Sequence, residues 1–295
     1  MPQLEAAPKT FETQRLVSGL QRSAWGYFKK FAIADRAAIV VSAAFADPAS
    51  FDRSQLIFAT VMYSFQLYAD FSGYTDIVLG MGEILGLHLP ENFRQPFFSA
   101  SVKELWARWH ISLSQWFRDY VYIPLGGSRC SKGKMIRNLL VVWLLTGLWH
   151  GADWNFLIWG LFLFVFLLME KLFLGKVFDK VKVLGHVYMF FLIPISWTIF
   201  NISDLKLLGL YLKRMFGMNI EGSVTTHAMD KLIMLGHTYW WLLLICVIFC
   251  TPWPRKLIEK FYKNWVCKLV MLALFWFCVY QIAKGGSNPF LYFRF

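Results

Sequence analysis

Long uncharged apolar runs are the feature of this sequence that most restricts its fold. Most of them approach the roughly 20 residues that a helix needs to cross a bilayer, so at least four are expected to be membrane spans. Charged residues make up only 16% of the chain, against about 25% in soluble domains. The predicted class is an all-α integral membrane protein, a multi-span helical bundle. The five runs cover residues 56–69, 154–169, 183–200, 232–250 and 266–283.

The distribution of Lys and Arg between these runs predicts their orientation. There are four such residues in 171–182, five in 255–268 and two after residue 283. Cytoplasmic loops carry the excess of positive charge, which places the first two loops in the cytoplasm and the C-terminus outside. The same rule accounts for the formal net charge of +12. No nucleic-acid partner is therefore predicted.

Residues 70–153 form the least lipid-like part of the chain, with glycines and prolines scattered among aromatic and charged residues. Irregular backbone at membrane depth is tolerated only where protein or a water-filled cavity covers it. The segment predicts re-entrant or broken helices around a central cavity. Because no internal repeat or linker interrupts the chain, we expect a single domain over residues 1–295 that begins with a polar segment, residues 1–18.

A candidate site lies in residues 103–127, KELWARWHISLSQWFRDYVYIPLGG. Treated as one helix, the segment places Lys103, His110, Ser114 and Arg118 within about 80° of one another, opposite an aromatic wall. An interfacial amphipathic helix would also show Lys, Arg and Trp residues. A histidine at the centre of the polar stripe, with a hydroxyl one turn away, favours a functional site instead.

The second candidate is His150, which ends the apolar run 139–149. That run rises from a basic cluster at 129–137, and its eleven residues cover about 16 Å as a helix, roughly half the hydrocarbon thickness. A histidine at mid-membrane depth is costly and is by default a functional candidate, although it could instead hydrogen-bond a neighbouring helix. A neutral imidazole can accept a proton from an attacking hydroxyl. Asp153 could orient the ring.

Two carboxylates, Asp70 and Asp76, flank Gly73 directly after an apolar run. Charges beside the membrane need partners, for which Arg94, Arg108 or Arg118 are candidates, and a structural ion pair is expected for at least one aspartate. Motifs for serine-elbow hydrolysis, nucleotide binding and zinc binding are missing from the sequence. No metal site is predicted.

Taken together, five motifs resemble those of the membrane-bound O-acyltransferase family, and most closely its bacterial alginate O-acetyltransferase branch. They are YADFSGYTD, ENFRQPF, WHISLSQWFRDYVYIPLGG, GLWHGADWNFLIWG and the terminal NPFLYFRF. The resemblance implies that His150, in the LWHG motif, is the catalytic residue and that His110 is the second histidine of the site. Family members usually carry further spans before the segment resembling GYFKKFAIADR, so the chain is expected to be N-terminally incomplete.

By the same resemblance, the protein would reside in a bacterial plasma (inner) membrane as a multi-pass protein. It would move an acyl group, with acetyl the expected one, from a cytoplasmic thioester such as acetyl-CoA toward hydroxyls of an exported polysaccharide. An extracytoplasmic serine-hydrolase-like acetyltransferase would be a partner, beside membrane lipid. D-alanyl transfer to a cell-wall polymer is a sister function.

The hypothesis assigns His150 as general base and His110 as the residue that positions or polarises a reactant. No tightly bound cofactor is expected. A transporter or channel would also need intramembrane His, Asp and Arg, and a non-catalytic scaffold of a polysaccharide-modification complex is a third possibility. The residues expected to bind the donor or line the cavity are Lys103, Arg108, Ser114 and Arg118, and those with a structural or cavity role are Asp70, Asp76, Asp153 and Trp149.

Overall fold

The computed structural model describes residue 3 and residues 12–218, 228–261, 264–284 and 290–291. Within that part of the chain the secondary structure is helical, and the one strand-like contact is an antiparallel bridge between Phe93 and Trp109. The predicted polar segment 1–18 and the terminal motif NPFLYFRF lie largely outside the described residues. The predicted outside location of the C-terminus stays a prediction.

Helices of very different lengths follow one another along the chain. Three of them continue into π-helical turns, at Lys29–Ala34, Arg118–Tyr122 and Glu170–Leu174. The α-helices are α1 Thr13–Phe28, α2 Asp35–Ala46, α3 Arg53–Ile84, α4 Val102–Arg108, α5 Ile111–Phe117, α6 Lys132–His150, α7 Trp154–Met169, α8 Gly175–Lys180, α9 Lys182–Asn201, α10 Leu205–Met215, α11 Ala228–Cys250, α12 Trp253–Phe261 and α13 Trp265–Ala283.

Four helical segments among the described residues are long and apolar enough to cross a membrane. They are Trp154–Lys180, Lys182–Asn201, Met229–Cys250 and Trp265–Ala283. They coincide with four of the five apolar runs, and the prediction of at least four spans is confirmed. The remaining run, residues 56–69, lies within helix α3.

Helix α3 is continuous over 32 residues and passes through Gly73, Gly80 and Gly82 without a break. The prediction of broken helices from residue 70 onward is therefore wrong for the first part of that region. A glycine inside a helix costs about 1 kcal/mol relative to alanine, a penalty that close packing at these positions can offset. Irregular backbone begins after Ile84, where Gly86 adopts a positive φ of 74°.

Contacts divide the chain into two compact units, each discontinuous in sequence. The first combines residues 1–39, 65–92 and 241–294, and the second combines residues 40–64, 93–240 and 295. Whether the chain forms a single domain stays a prediction.

In the first unit, helix α1 packs against the glycine-containing part of α3 with the two backbones in contact. A Cβ placed on Gly19 would lie 2.5 Å from the carbonyl oxygen of Gly80, and one on Gly26 would collide with the carbonyl oxygen of Gly73. Small residues that let helix backbones approach are a common device of membrane helix packing. The spacing of seven residues in both helices keeps the glycines on one face.

We expect that Gly26→Leu destabilises the protein by about 3 kcal/mol or more, because the new side chain would overpack the contact with α3. Thermal unfolding of the purified protein in detergent measures the loss. Gly209→Leu is the matched control, since a Cβ at Gly209 in α10 meets nothing within 4 Å. Equal stability of the two variants would contradict the packing described here.

In the second unit, α6 and α7 form a tightly packed helical hairpin. A Cβ on Gly147 would lie 2.6 Å from the carbonyl oxygen of Phe156, and one on Gly160 would lie 2.5 Å from that of Trp143. At the start of α7 the buried side chain of Asn155 donates a hydrogen bond of 2.6 Å to the carbonyl oxygen of Phe200. That bond links the hairpin to the end of α9.

Tryptophan rings fill the space between these helices and α4. Trp106 of α4 lies edge-on to Trp143 of α6 and to Trp159 of α7, with ring centroids 5.1 and 5.8 Å apart. Trp159 is fully buried and stacks on Trp197 of α9. Aromatic rings arranged edge to face add about 0.5–1.5 kcal/mol per pair beyond the area that they bury. The cluster connects α4 with the helices that surround His150.

Candidate active site

The segment expected to form one helix over residues 103–127 is divided into two short helices. Helix α4 ends at Arg108, Trp109 is extended, and His110 takes a left-handed conformation (φ 43°, ψ 54°) before α5 begins at Ile111. The prediction of a continuous helix is therefore wrong. Trp109 pairs with Phe93 and the amide of Arg94 donates to the carbonyl oxygen of Arg108 at 2.9 Å, so the break is held by contacts distant in sequence.

The left-handed conformation of His110 is uncommon, because a side chain with a Cβ is disfavoured there by about 1 kcal/mol or more. Such strain persists only where surrounding structure imposes it, and it concentrates at functional sites. His110 lies outside the four candidate spans, and burial lowers its pKa to about 4. The ring is therefore uncharged at neutral pH.

His150 is the last residue of α6, and its ring lies in a cage of aromatic side chains. Ring centroids of Trp149, Phe200 and Trp159 lie 4.9, 4.9 and 5.2 Å from that of His150. Phe156 completes the cage at 6.2 Å. The helix ends at Gly151, and His150 itself is only partly buried. The predicted end of the apolar helix at this histidine is confirmed.

Trp149 brings the two histidines into one site. Its ring contacts His150 and also lies 5.9 Å, edge-on, from the ring of His110. Both imidazoles therefore contact the same tryptophan ring. The structure thus places together two residues that are 40 positions apart in the sequence. Trp149 was expected to be a structural or cavity residue, and this contact is the role that the geometry supports.

A cavity of about 250 Å³ lies between α4, α5, α6 and α7, and neither His110 nor His150 is among its lining residues. Its lining includes Lys103, Ser114 and Arg118 from the predicted polar stripe, but also aromatic residues expected on the opposite side. The division of the segment into a polar and an aromatic face is therefore wrong, because the break at His110 turns α5 relative to α4. The lining residues are Lys103, Trp106, Leu113, Ser114, Phe117, Arg118, Tyr122, Leu139, Val142, Trp143, Thr146 and Leu167.

The arginines predicted to bind a donor have acidic partners. Arg108 pairs with Glu104 one turn earlier in α4, and it is not among the residues that line the cavity. Arg118 pairs with the exposed side chain of Asp119. Lys103 and Arg118 are both exposed at the edge of the cavity. Of the two arginines, only Arg118 is placed to meet a ligand there.

Asp70 and Asp76 belong to the first unit, where lysines and an arginine pair with them. Asp70, 1% exposed, accepts a hydrogen bond of 2.8 Å from Lys30. Asp76 accepts from Lys29 at 2.6 Å and pairs with Arg22 at 3.2 Å. The expectation of structural ion pairs is confirmed. The named partners Arg94, Arg108 and Arg118 were wrong, since the cations come from α1 and the π-helical turn after it.

Asp153 precedes α7 and is exposed, and its side chain makes no capping hydrogen bond to that helix. Its suggested role in orienting His150 stays a prediction. The aromatic cage already restrains the ring of His150 on several sides.

Sequence reasoning missed Glu170, a buried carboxylate that accepts hydrogen bonds from the backbone amides of Val102 and Lys103. The sequence feature that could have indicated Glu170 is its position directly after the apolar run 154–169. Phe200, which contacts His150, carried no signal because aromatic residues occur throughout the apolar helices.

Among the described residues, the fold and the site define a helical membrane protein in which two histidines contact one tryptophan and one of them, His150, lies in an aromatic cage. The model of the membrane-bound O-acyltransferase family matches residues 16–178, more than half of the chain. The chain belongs to this family, and the four long apolar helices in the described part of the chain are those of an integral membrane protein.

Three relatives illustrate the range of the similarity. The chain is 40% identical over 200 residues, 67% of its length, to the probable alginate O-acetylase AlgI of Azotobacter vinelandii, covering 40% of that protein. It is 31% identical along its whole length to the peptidoglycan O-acetyltransferase of Helicobacter pylori, covering 60% of it. The teichoic acid D-alanyltransferase of Bacillus subtilis is 42% identical over 34% of the chain, which covers 27% of that protein. The chain thus spans less than two thirds of the length of these relatives.

We expect that Asp70→Ala lowers the free energy of unfolding by about 3 kcal/mol, because it leaves the buried ammonium of Lys30 with one fewer carboxylate partner. Thermal unfolding in detergent measures the loss. Asp119→Ala, which removes an exposed partner of Arg118, serves as the control and should change stability little. An Asp70→Ala protein as stable as the control would show that the pair is not needed for folding.

Proposed function

We propose that the chain carries the site of an O-acyltransferase, in which His150 is the general base and an acyl group passes from a thioester donor to a hydroxyl of an exported polymer. The observation that carries the proposal is a pair of imidazoles that contact one tryptophan ring in a member of the membrane-bound O-acyltransferase family. The names of all three relatives describe acyl transfer associated with a polymer.

The chemistry needs a base that is uncharged before reaction. In the proposed step His150 accepts the proton of the acceptor hydroxyl while the hydroxyl oxygen attacks the carbonyl carbon of the acyl group. The tetrahedral intermediate then collapses, the carbon–sulfur bond breaks, and the imidazolium returns its proton to the leaving thiolate. An ester and a free thiol result. The aromatic cage excludes water from part of the ring, which limits competing hydrolysis of the donor.

His110 is proposed to position or polarise a reactant. Its backbone is fixed by the break between α4 and α5, and its ring faces the same tryptophan as His150. A neutral imidazole that donates a hydrogen bond can stabilise the oxyanion of a tetrahedral intermediate, a contribution that matters most where water is scarce.

The donor is proposed to enter through the cavity beside α6. Apolar side chains such as Leu139 and Leu167 form much of its wall, while Lys103 and Arg118 lie at its edge and Ser114 supplies a hydroxyl. Ligand pockets usually have volumes of about 300–1,000 Å³, so the cavity suits one part of a donor such as the thioester arm of acetyl-CoA. The lining reaches Thr146, one helical turn before His150.

The acyl group is proposed to be acetyl, the acceptor an exported polysaccharide such as alginate, and the location a bacterial inner membrane with the C-terminus outside. A serine-hydrolase-like acetyltransferase on the outer side is the proposed protein partner. Similarity to two O-acetyl-transferring relatives over 67% or more of the chain supports acetyl as the transferred group.

Transfer of a D-alanyl group is the second candidate function. It is favoured by the 42% identity to a teichoic acid D-alanyltransferase over 108 residues. Both reactions form an ester from a thioester and a hydroxyl, so His150 would serve either. Comparing labelled acetyl and D-alanyl donors in one assay decides between them.

We expect that His150→Ala lowers acyl transfer about 100-fold or more, the usual contribution of a general base. The measurement is labelled acyl transfer to polymer in membrane vesicles that contain the chain and its candidate partner. His186→Ala is the matched control, because His186 is an exposed histidine of α9 and should retain activity. Transfer unchanged in His150→Ala protein that inserts normally would show that His150 is not the general base.

We expect the double variant Lys103→Ala and Arg118→Ala to raise the KM for an anionic thioester donor about tenfold, with little change in kcat, because these side chains would contact the donor far from the reacting carbon. Lys213→Ala, an exposed lysine of α10, is the control. A kcat effect without a KM effect would argue against donor binding at this cavity.

A further inference from the structure

Glu170 is an acidic residue inside a candidate span that the proposed reaction does not use. It lies within the helical segment Trp154–Lys180 and is 7% exposed. A carboxylate in such surroundings is costly and marks a site with specific partners. Its location at the start of the π-helical turn Glu170–Leu174 is a second unusual feature, since π-turns within helices occur often at functional sites.

The partners of Glu170 include the first amides of helix α4 and the side chain of Tyr188 in α9. Oε1 accepts a hydrogen bond of 2.6 Å from the amide of Val102, and Oε2 accepts one of 3.2 Å from the amide of Lys103. Hydrogen bonds from amides to a carboxylate are stronger than those between neutral groups. A negative charge at a helix N-terminus is also favoured by the helix dipole.

Local residues already cap part of this helix. Ser101 accepts a hydrogen bond from the amide of Glu104, and the carboxylate of Glu104 accepts one from the amide of Ala100. What Glu170 adds is a connection across 67 or more sequence positions. It ties the beginning of α4 to the span that contains α7.

Both histidines depend on the two helices that this connection joins. Helix α4 has seven residues and ends at the break that carries His110, so a shift at its beginning moves its end as well. Helix α7 carries Trp159, whose ring contacts both His150 and Trp106 of α4. Holding α4 against this span therefore fixes His110 relative to His150.

We propose that Glu170 is a positioning residue of the acyltransferase site, which sets the distance between the two imidazoles by anchoring the first turn of α4 on a membrane span. The inference rests on the function proposed above for the histidine pair. Glu170 touches no reacting atom, so it acts on the rate of transfer through His110.

The experiment compares Glu170→Gln and Glu170→Ala in the full chain in membrane vesicles. Glutamine keeps one oxygen acceptor and nearly the same volume, whereas alanine removes both acceptors. We expect kcat to fall about tenfold in the glutamine variant and further in the alanine variant, with the donor KM changed less than about threefold, because the loss falls on the transition state. Asp179→Asn, an exposed acid of α8, should leave both constants unchanged.

Hydrogen exchange of the backbone amides provides a readout that does not depend on activity. Faster exchange at residues 100–110 in the Glu170 variants, with exchange at residues 132–150 unchanged, is the expected pattern. The exchange pattern does not depend on whether His150 is the general base. A fully active His150→Ala protein would therefore contradict the proposed function, whereas unchanged exchange in the Glu170 variants would contradict the present inference. Unchanged exchange at Val102 and Lys103, or a rise in KM with kcat retained, would overturn the positioning role.

Discussion

The structure depends on one constraint: polar groups surrounded by apolar side chains and lipid must find their partners within the protein. The first unit satisfies it with the Lys30–Asp70 pair and the second with Glu170 and Asn155. In each case a polar side chain on one helix binds backbone or charge on another. These contacts determine which helices can be neighbours, while the apolar residues supply most of the buried area.

The aromatic cage and the histidine pair follow from this arrangement. With α7 tied to α9 through Asn155, the rings of Trp159 and Phe200 come together at the end of α6. His150 then lies, partly buried, in an environment of aromatic side chains. Trp149 forms one edge of that environment. His110, which comes from a different part of the chain, contacts the ring of Trp149. The candidate site is thus assembled from four separate segments.

Periodicity and length predicted the spans, because the energetic cost of leaving apolar residues in water is local and additive. The end of α6 at His150 followed from the same pattern. The break at His110 could not be predicted, because contacts distant in sequence hold it. Phe93 and Arg94 pair with the backbone of residues 108–109. The partners of the aspartates were missed for the same reason: Lys30 and Asp70 are 40 positions apart.

The left-handed backbone of His110 has a consequence for which side chains that position can accept. Glycine and asparagine adopt such a conformation readily, whereas alanine or a β-branched residue favours a straight helical path. A short amide side chain would therefore remove the imidazole and leave the bend in place. Alanine would remove the ring and would also favour joining of α4 and α5 into one helix. The packing of Trp106 of α4 against the other tryptophans would then be disturbed as well.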